Sequence, residues 1–249
     1  MALLTISYVG GASGEGHLTG WSVSLNSLSG GTNSSPSEGD IVIVNFVRAT
    51  GSGVDENLAM STSGYTELFD IQQTNSINTN QAVFWKIMGA SPDSTVEVTA
   101  SNASTKPEVV TVQVWRNVDQ ITPMDVTPTT TTVSGSSRAN SPAITPVTAG
   151  AVIIACGAAG GGNDSDNTVP SGMTNFEYGL NYQAPLGGSA KGGICSYSSW
   201  TSGSYDPAAW GGGNTASYHS YTAATLALRP ASDTPAFTPS PMMHLLQMM

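Results

Sequence analysis

The feature that most constrains this chain is a two-residue alternation of apolar and polar side chains that recurs several times in the sequence. Apolar residues alternate with polar ones in the stretches 4–8, 21–26, 96–99 and 110–115. Successive side chains of a β-strand point to opposite faces, so this alternation is typical of strands with one buried face. The stretch 41–44 is apolar throughout, which indicates a strand covered on both faces or near its end. No segment of helical length has an apolar period of 3.6 residues, and the sequence therefore predicts an all-β protein.

The composition limits the kinds of molecule that this protein could bind. Charged residues make up only 10% of the chain, and the formal net charge is −10. The seven basic residues are scattered, so no cluster can neutralise nucleic-acid phosphates or bind an anionic membrane surface. The N-terminal sequence MALLTISYVGG has no basic region before a long apolar stretch, and no apolar run approaches the ~18 residues of a membrane span. We therefore expect no nucleic acid, no membrane and no signal peptide.

The chain also contains an internal repeat. GDIVIVNFVRATGSG, which begins at Gly39, matches GAVIIACGAAGGG, which begins at Gly150. Three further pairs of phrases follow in the same order: SGYTELF with SGMTNFE, VFWKIMGASPDS with ICSYSSWTSGS, and VQVWR with LALR. The four offsets are 111, 108, 111 and 113 residues. A four-stranded sheet with one apolar face is poorly stable alone, whereas two such sheets can bury these faces against each other.

The repeat predicts a jelly-roll-like β-sandwich over residues 1–231, built from two internally duplicated halves, about 1–124 and 125–231. Two tandem small sandwiches are the alternative. The Thr- and Ser-rich stretch 125–142 joins the halves and is predicted to be an edge strand with an exposed loop. Residues 232–249 are predicted to form a Pro-rich extended arm that ends in an apolar, Met-rich docking segment.

The glycines of AVIIACGAAGGGN, residues 151–163, raise the question of a nucleotide site. The phosphate-binding pattern GxxxxGK[ST] is absent from both copies of the repeat, and no helical pattern follows the glycines. We expect the segment to be the exit from a β-strand, where the glycines let the chain turn or let loops pack closely.

Several phrases, taken in order, resemble those of a known group of proteins. They are YVG, GDIVIV, GYTEL, WKIMGASPD, VWRNVDQITPMDVT, ITPVTAGAVIIA and ATLALRPA. This order resembles a widespread, largely uncharacterised β-sandwich module of virion structural proteins from tailed, often marine, phages and from prophages. The resemblance covers roughly residues 3–231. It implies a structural role on a virus particle, in the head, the tail or a fibre, and it assigns no catalytic residues to this chain.

Residues that could carry catalysis or bind a cofactor are few. His17 lies in a Gly-rich stretch and His219 lies beside serines, and no GxSxG motif accompanies them. We therefore expect neither an enzyme nor a cofactor. Cys156 and Cys195 are predicted to be buried free thiols, with a disulfide as the alternative.

One oxygen-rich stretch, GGNDSDN, contains a weak candidate calcium site. Asn163, Asp164 and Asp166 lie close together in it, and Ca²⁺ favours ligands of this type. The stretch lacks the glycine and the glutamate of an EF-hand loop. A solvated turn is the preferred interpretation, and no metal is expected.

Aromatic residues are frequent among the turn-forming residues of the second half. Trp200, Tyr205 and Trp210 lie in SSWTSGSYDPAAWGGG. Exposed rings of this kind could stack on sugars, which makes a carbohydrate-binding adhesin one hypothesis. Core packing is the alternative, because Trp210 aligns with the strand residue Val98 of the first copy.

The C-terminal stretch MMHLLQMM carries six apolar side chains that a sandwich does not need for its own core. Met-rich surfaces adapt to varied partners. These residues are predicted to dock on a neighbouring subunit, with folding back and disorder as alternatives: Met242, Met243, Leu245, Leu246, Met248 and Met249.

Together these observations predict a non-enzymatic virion protein located on the exterior of the capsid or on the tail. The most specific hypothesis is a capsid decoration or cement protein that stabilises the head through contacts with the major capsid protein and with its own copies. A tail or fibre component and a carbohydrate-binding adhesin module are the alternatives.

Overall fold

The structure is a computed structural model that describes residues 2–17, 20–51, 55–74, 77–102, 105–134, 138–161, 168–183, 188–211 and 220–233. The all-β prediction is confirmed, because these residues form strands and no helix. Among them the structure contains no helix long and apolar enough to cross a membrane. The strands are β1 (Ser7–Gly16), β2 (Trp21–Ser24), β3 (Ile41–Gly51), β4 (Leu58–Met60), β5 (Thr66–Gln73), β6 (Ile77–Ile87), β7 (Thr95–Ala100), β8 (Glu108–Arg116), β9 (Thr129–Ser134), β10 (Val152–Gly161), β11 (Thr174–Gln183), β12 (Gly188–Tyr197) and β13 (Ser220–Leu228).

The described strands form three antiparallel sheets. The first large sheet has the order β1-β8-β3-β6-β5, and the second has the order β11-β12-β10-β13-β9. A small sheet has the order β2-β7-β4. Each large sheet therefore takes all its strands from one half of the chain. The jelly-roll description is not confirmed, because neither large sheet includes a strand from the other half.

The first large sheet is the middle layer of the sandwich. One of its faces packs on the small sheet through residues such as Phe46 and Val96. Its other face packs on the second large sheet through residues such as Ile43 and Ile154. Because both faces are covered, the first ten residues of β3 are all buried. This double burial explains the continuous apolar run that the sequence shows in this strand.

The interface between the two large sheets also contains buried polar contacts. The Asn45 side-chain amide donates to the Gly193 carbonyl at 3.1 Å, and Asn45 Oδ1 accepts a hydrogen bond from Gln81 Nε2 at 2.8 Å. The Thr79 hydroxyl donates to the Ser220 carbonyl at 2.7 Å. A buried polar group that loses its partner costs about 1–3 kcal/mol. These contacts therefore fix how the second large sheet is placed on the first.

The two large sheets have the same strand order when their strands are matched by the sequence repeat. β1, β8, β3, β6 and β5 correspond to β9, β13, β10, β12 and β11. The register corresponds as well, since Ile43 pairs with Trp85 in the first sheet and Ile154 pairs with Ser196 in the second, 111 residues later in both strands. The pairing of β5 with β6 contains a register shift, and so does the pairing of β11 with β12. A duplicated ancestor would produce this correspondence, and the duplication itself stays a prediction.

Gly157, Gly160 and Gly161 lie within β10, so the expectation that the glycines of this segment let the chain turn is wrong for these three, and Gly162 lies outside the described residues. A Cβ on Gly157 would lie 2.5 Å from the ring of Trp210, and a Cβ on Gly160 would lie 2.9 Å from the carbonyl oxygen of Asn78. These two glycines face opposite sides of the strand. They allow an aromatic ring to approach one face of β10 and the first large sheet to approach the other.

Candidate functional site

A polar groove of about 440 Å³ follows one edge of the first large sheet. Strand β1 is the edge strand, and its residues 11–15 line the groove. The small sheet contributes β2 and the serines that follow it, and Glu177 of β11 contributes from the second large sheet. We call this feature the edge groove.

The main chain of β1 is partly unpaired along the edge groove. Gly11 exchanges two hydrogen bonds with Ser29, each 2.9 Å long, on the side away from β8. In an antiparallel ladder every second residue directs its N–H and C=O to the same side. Ser13 and Glu15 therefore direct theirs into the groove, and no main-chain group of the described residues pairs with them there.

Two carboxylates give the edge groove a negative wall. Glu177 Oε1 accepts a hydrogen bond from the Tyr8 hydroxyl at 3.2 Å, and Glu15 Oε1 accepts one from the Leu180 N–H at 2.9 Å. Burial raises the pKa of Glu177, and the hydrogen bond from Tyr8 opposes this. Burial and the nearby Glu177 raise the pKa of Tyr8, so its hydroxyl stays a donor. The groove thus suits a ligand with a positive charge.

Behind the groove lies a buried ionic cluster of three charged side chains. Arg48 Nε lies 2.8 Å from Glu56 Oε2, and Arg48 Nη1 lies 3.2 Å from Glu108 Oε1. Trp21 Nε1 donates to Glu108 Oε2 at 2.5 Å. Burial raises the pKa of Glu108 from 4.5 to about 7, although Arg48 and the Trp21 hydrogen bond lower it. Burial also raises the pKa of Glu56, with Arg48 opposing the shift.

The ionic cluster is closed to any substrate, since none of its charged side chains is more than 1% exposed. Arg48 and Glu108 face each other directly in the β3–β8 ladder. In the part of the chain that the structure describes, no group of three His, Cys, Asp or Glu side chains could hold a metal ion. We therefore assign the cluster a structural role, in which buried ion pairs hold neighbouring parts of the chain together.

A second candidate surface lies at the end of the sandwich where residues 2–4 pair with residues 231–233. Arg229 Nε lies 3.1 Å from Asp125 Oδ1, and Asp125 Oδ2 accepts the Val147 N–H at 2.6 Å. Burial opposes ionisation of Asp125, but hydrogen bonds from Thr148, Val147 and Arg229 outweigh it and lower its pKa. These bonds hold the loops at this end in place.

Four large apolar side chains are exposed at this end, and we call them the terminal patch. Their exposed fractions are 45%, 38%, 90% and 70% for Leu3, Leu4, Ile121 and Val147. Isolated exposed apolar residues are ordinary, but several at one end of a body indicate a contact surface.

The structure corrects the sugar-stacking prediction for two of its three residues. Trp200 and Trp210 are only 7% and 9% exposed. Trp210 Nε1 donates to Ser141 Oγ at 3.1 Å, and its ring packs on β10 and β12. Tyr205 is half-buried and stacks on Tyr197 with ring centroids 4.3 Å apart. The alignment of Trp210 with a core valine was the signal that pointed to this outcome.

The prediction of buried free thiols is confirmed, because Cys156 and Cys195 are both buried and unpaired with each other. The calcium candidates Asn163, Asp164 and Asp166 lie outside the described residues. So do His219 and the predicted docking residues within 242–249, and these assignments stay predictions.

Sequence reasoning missed both the edge groove and the ionic cluster. The groove was signalled by the glycines of YVGGASGEG, which leave little side-chain volume on one face of β1. The cluster was signalled by Arg48 within an otherwise apolar strand, because a buried arginine requires acidic partners. The partners Glu56 and Glu108 come from distant parts of the chain and could not be identified from spacing.

No protein family, no curated protein and no solved structure matches this chain. These comparisons therefore assign no function to it.

Proposed function

We propose that this chain is a structural protein of a tailed-phage virion, and specifically a decoration or cement protein on the exterior of the capsid. The observation that carries the proposal is the terminal patch, which places four exposed apolar side chains at one end of a rigid sandwich. The resemblance of the ordered sequence phrases to virion β-sandwich modules supports the same role.

The terminal patch supplies enough apolar surface for a subunit contact. Complete burial of an aliphatic side chain contributes about 1.5–3 kcal/mol. Ile121 and Val147 are 90% and 70% exposed, so a neighbouring subunit would gain most of that value at each. Contacts of this kind between subunits of a capsid oppose the outward pressure of packaged DNA.

The chain leaves the described sandwich beside this patch. The Asp233 N–H donates to the Ala2 carbonyl at 2.8 Å, which places Asp233, the last described residue, at the same end. In this proposal the predicted docking residues Met242 to Met249 add to the contact that the terminal patch makes with a neighbour. The net charge of −10 suits an exterior position, where no DNA has to be bound.

The test uses a phage that encodes this protein. Particles are prepared without the protein, and the recombinant protein is then added back to them. At protein concentrations well below saturation, the double variant Ile121→Ser, Val147→Ser should occupy at least tenfold fewer sites than the wild type, because about 1.4 kcal/mol corresponds to tenfold in affinity. Tyr182→Ser is the matched control, since Tyr182 is 47% exposed but lies on β11, away from the terminal patch. Copies per particle are counted by quantitative mass spectrometry.

Occupancy of the double variant equal to that of the wild type would contradict a role for the terminal patch. Particles that never contain the chain would contradict the virion role altogether. A tail or fibre component is distinguished by copy number, since a decoration protein is present in many copies and a fibre protein in few.

A further inference from the structure

We infer that the edge groove binds an extended peptide segment with a basic side chain, and that the segment pairs with the free edge of β1 as an added strand. This inference goes beyond the virion role and does not rest on it. It concerns a different surface from the terminal patch.

The main chain of β1 provides the first half of the argument. Ser13 and Glu15 each direct one N–H and one C=O into the groove, and neither has a main-chain partner there among the described residues. An added strand would satisfy these four groups. Exposed strand edges of this kind are the usual template for peptide binding by strand addition.

The open part of the β1 edge is short. Between Ser29, which already pairs with Gly11, and the end of β1, the edge stays open over a volume of about 440 Å³. The neighbouring edge strand of the second large sheet, β11, differs, because its Leu180 N–H is already bound by Glu15. The open main chain is thus that of β1.

The side chains around the edge select the sequence of the segment. Alternate side chains of an added strand would point towards Trp21 and Val23 on one side and towards Glu177 on the other. A lysine or arginine on the second side would meet a half-buried carboxylate. Arginine fits best, because its planar guanidinium binds a carboxylate with two parallel hydrogen bonds.

The same charges argue against two other occupants. If β1 paired with β1 of a second molecule, Glu15 and Glu177 would lie close to the same two residues of that molecule. Like charges that face each other across strands are destabilising. Residues 234–249 of this chain contain neither lysine nor arginine, so they lack the required side chain. The occupant is therefore a segment of another protein.

The test begins with selection of binders from a library of random displayed dodecapeptides against the full-length protein. Selected peptides are synthesised, and their affinities are measured by calorimetry for the wild type and three variants. Ser13→Pro removes the outward N–H without removing a hydrogen bond to β8, and edge strands tolerate proline at such positions. We expect it to weaken binding about tenfold or more, whereas Ser13→Ala, which keeps the N–H, should bind like the wild type.

Charge selection is tested by Glu177→Gln together with peptides whose basic residue is replaced by methionine. Glu177→Gln should weaken binding of the basic peptides severalfold and leave binding of the methionine peptides unchanged. Amide signals of Ser13 and Glu15 should shift on binding in NMR spectra. Unchanged signals of Thr111 and Val112 in free Ser13→Pro would show that the β1–β8 pairing is intact.

The inference is overturned if the library yields no binder, or if the selected peptides bind Ser13→Pro as tightly as the wild type. It is also overturned if neutral oligosaccharides, and not peptides, shift the Ser13 and Glu15 signals. Concentration-dependent dimerisation that Ser13→Pro abolishes would assign the edge to a second copy and would equally reject a basic foreign segment.

Discussion

Replacement of Glu108 by glutamine should change how the stability of this protein depends on pH. Two carboxylates, Glu56 and Glu108, share the single cation Arg48 in a buried cluster. When both carboxylates are ionised, this arrangement holds one more negative charge than positive charge away from water. Glu108→Gln leaves one buried ion pair, Arg48 with Glu56, and keeps an oxygen that can accept the Trp21 N–H.

The magnitude follows from the pKa of Glu108, which burial raises from 4.5 to about 7 against the opposing effects of Arg48 and Trp21. Below pH 4.5 both the folded and the unfolded protein hold the proton. Between 4.5 and about 7 the unfolded protein has released it and the folded protein retains it, so stability falls as the pH rises. Above about 7 the loss is complete. At about 1.4 kcal/mol per pH unit, the total loss is on the order of 3 kcal/mol.

Urea unfolding at a series of pH values between about 4 and 8 measures this effect, because this range covers both protonation states of Glu108. As the pH rises through this range, the free energy of unfolding of Glu108→Gln should fall by up to about 3 kcal/mol less than that of the wild type. At the upper end of the range the variant should be at least as stable as the wild type. Asp70 contributes in the same direction in both proteins, since burial raises its pKa from 3.8 to about 6. Glu97→Gln is the control, because Glu97 is exposed.

Arg48→Met gives the complementary measurement. It leaves two buried carboxylates without their paired arginine and should cost about 3–5 kcal/mol, with the larger loss at high pH. A Glu108→Gln profile that runs parallel to the wild type would show that Glu108 titrates normally and would refute this reasoning.

Two further predictions concern packing. Gly160→Ala places a Cβ 2.9 Å from the Asn78 carbonyl oxygen and should destabilise the protein by about 1–3 kcal/mol in urea unfolding, whereas Gly89→Ala, with open space around it, should stay within about 0.5 kcal/mol of the wild type. Burial raises the pKa of the Cys156 and Cys195 thiols, so a thiol-reactive dye should label neither in the folded protein and both in urea; rapid labelling of the folded protein would contradict their burial.

The sequence was sufficient for the fold class because strand periodicity is a local property. The apolar run in 41–44 predicts burial on both faces, and the structure confirms it. Alternation in 110–115 correctly indicates a strand, but β8 is buried on both faces, since its polar residues Thr111 and Gln113 are 0% exposed. The small sheet could not be predicted in the same way. Alternation in β2 and β7 shows that each has one buried face, but it does not show which layer covers that face.

The candidate surfaces were harder to predict because they join residues that are distant in sequence. Tyr8 and Glu177 meet in the edge groove although 169 residues separate them. The aromatic residues of the second half were ambiguous for a different reason. Trp200 and Trp210 lie among turn-forming residues, where local composition suggests exposure, but glycines such as Gly157 make room for a ring against the strand. Burial of this kind depends on the opposite wall and not on local composition.

The scarcity of basic residues connects the ion pairs to the proposed partners. The chain has seven lysines and arginines against seventeen acidic residues. Four of the seven are engaged in ion pairs within the described sandwich: Arg48 with Glu56, Lys86 with Asp93, Arg116 with Asp40, and Arg229 with Asp125. Glu15 and Glu177 have hydrogen-bond donors but no ion pair among the described residues. Because the cations of this protein pair internally and two carboxylates lie along an open strand edge, the charges favour a partner with positive charge. In our proposal the main chain at the edge groove holds that partner in register.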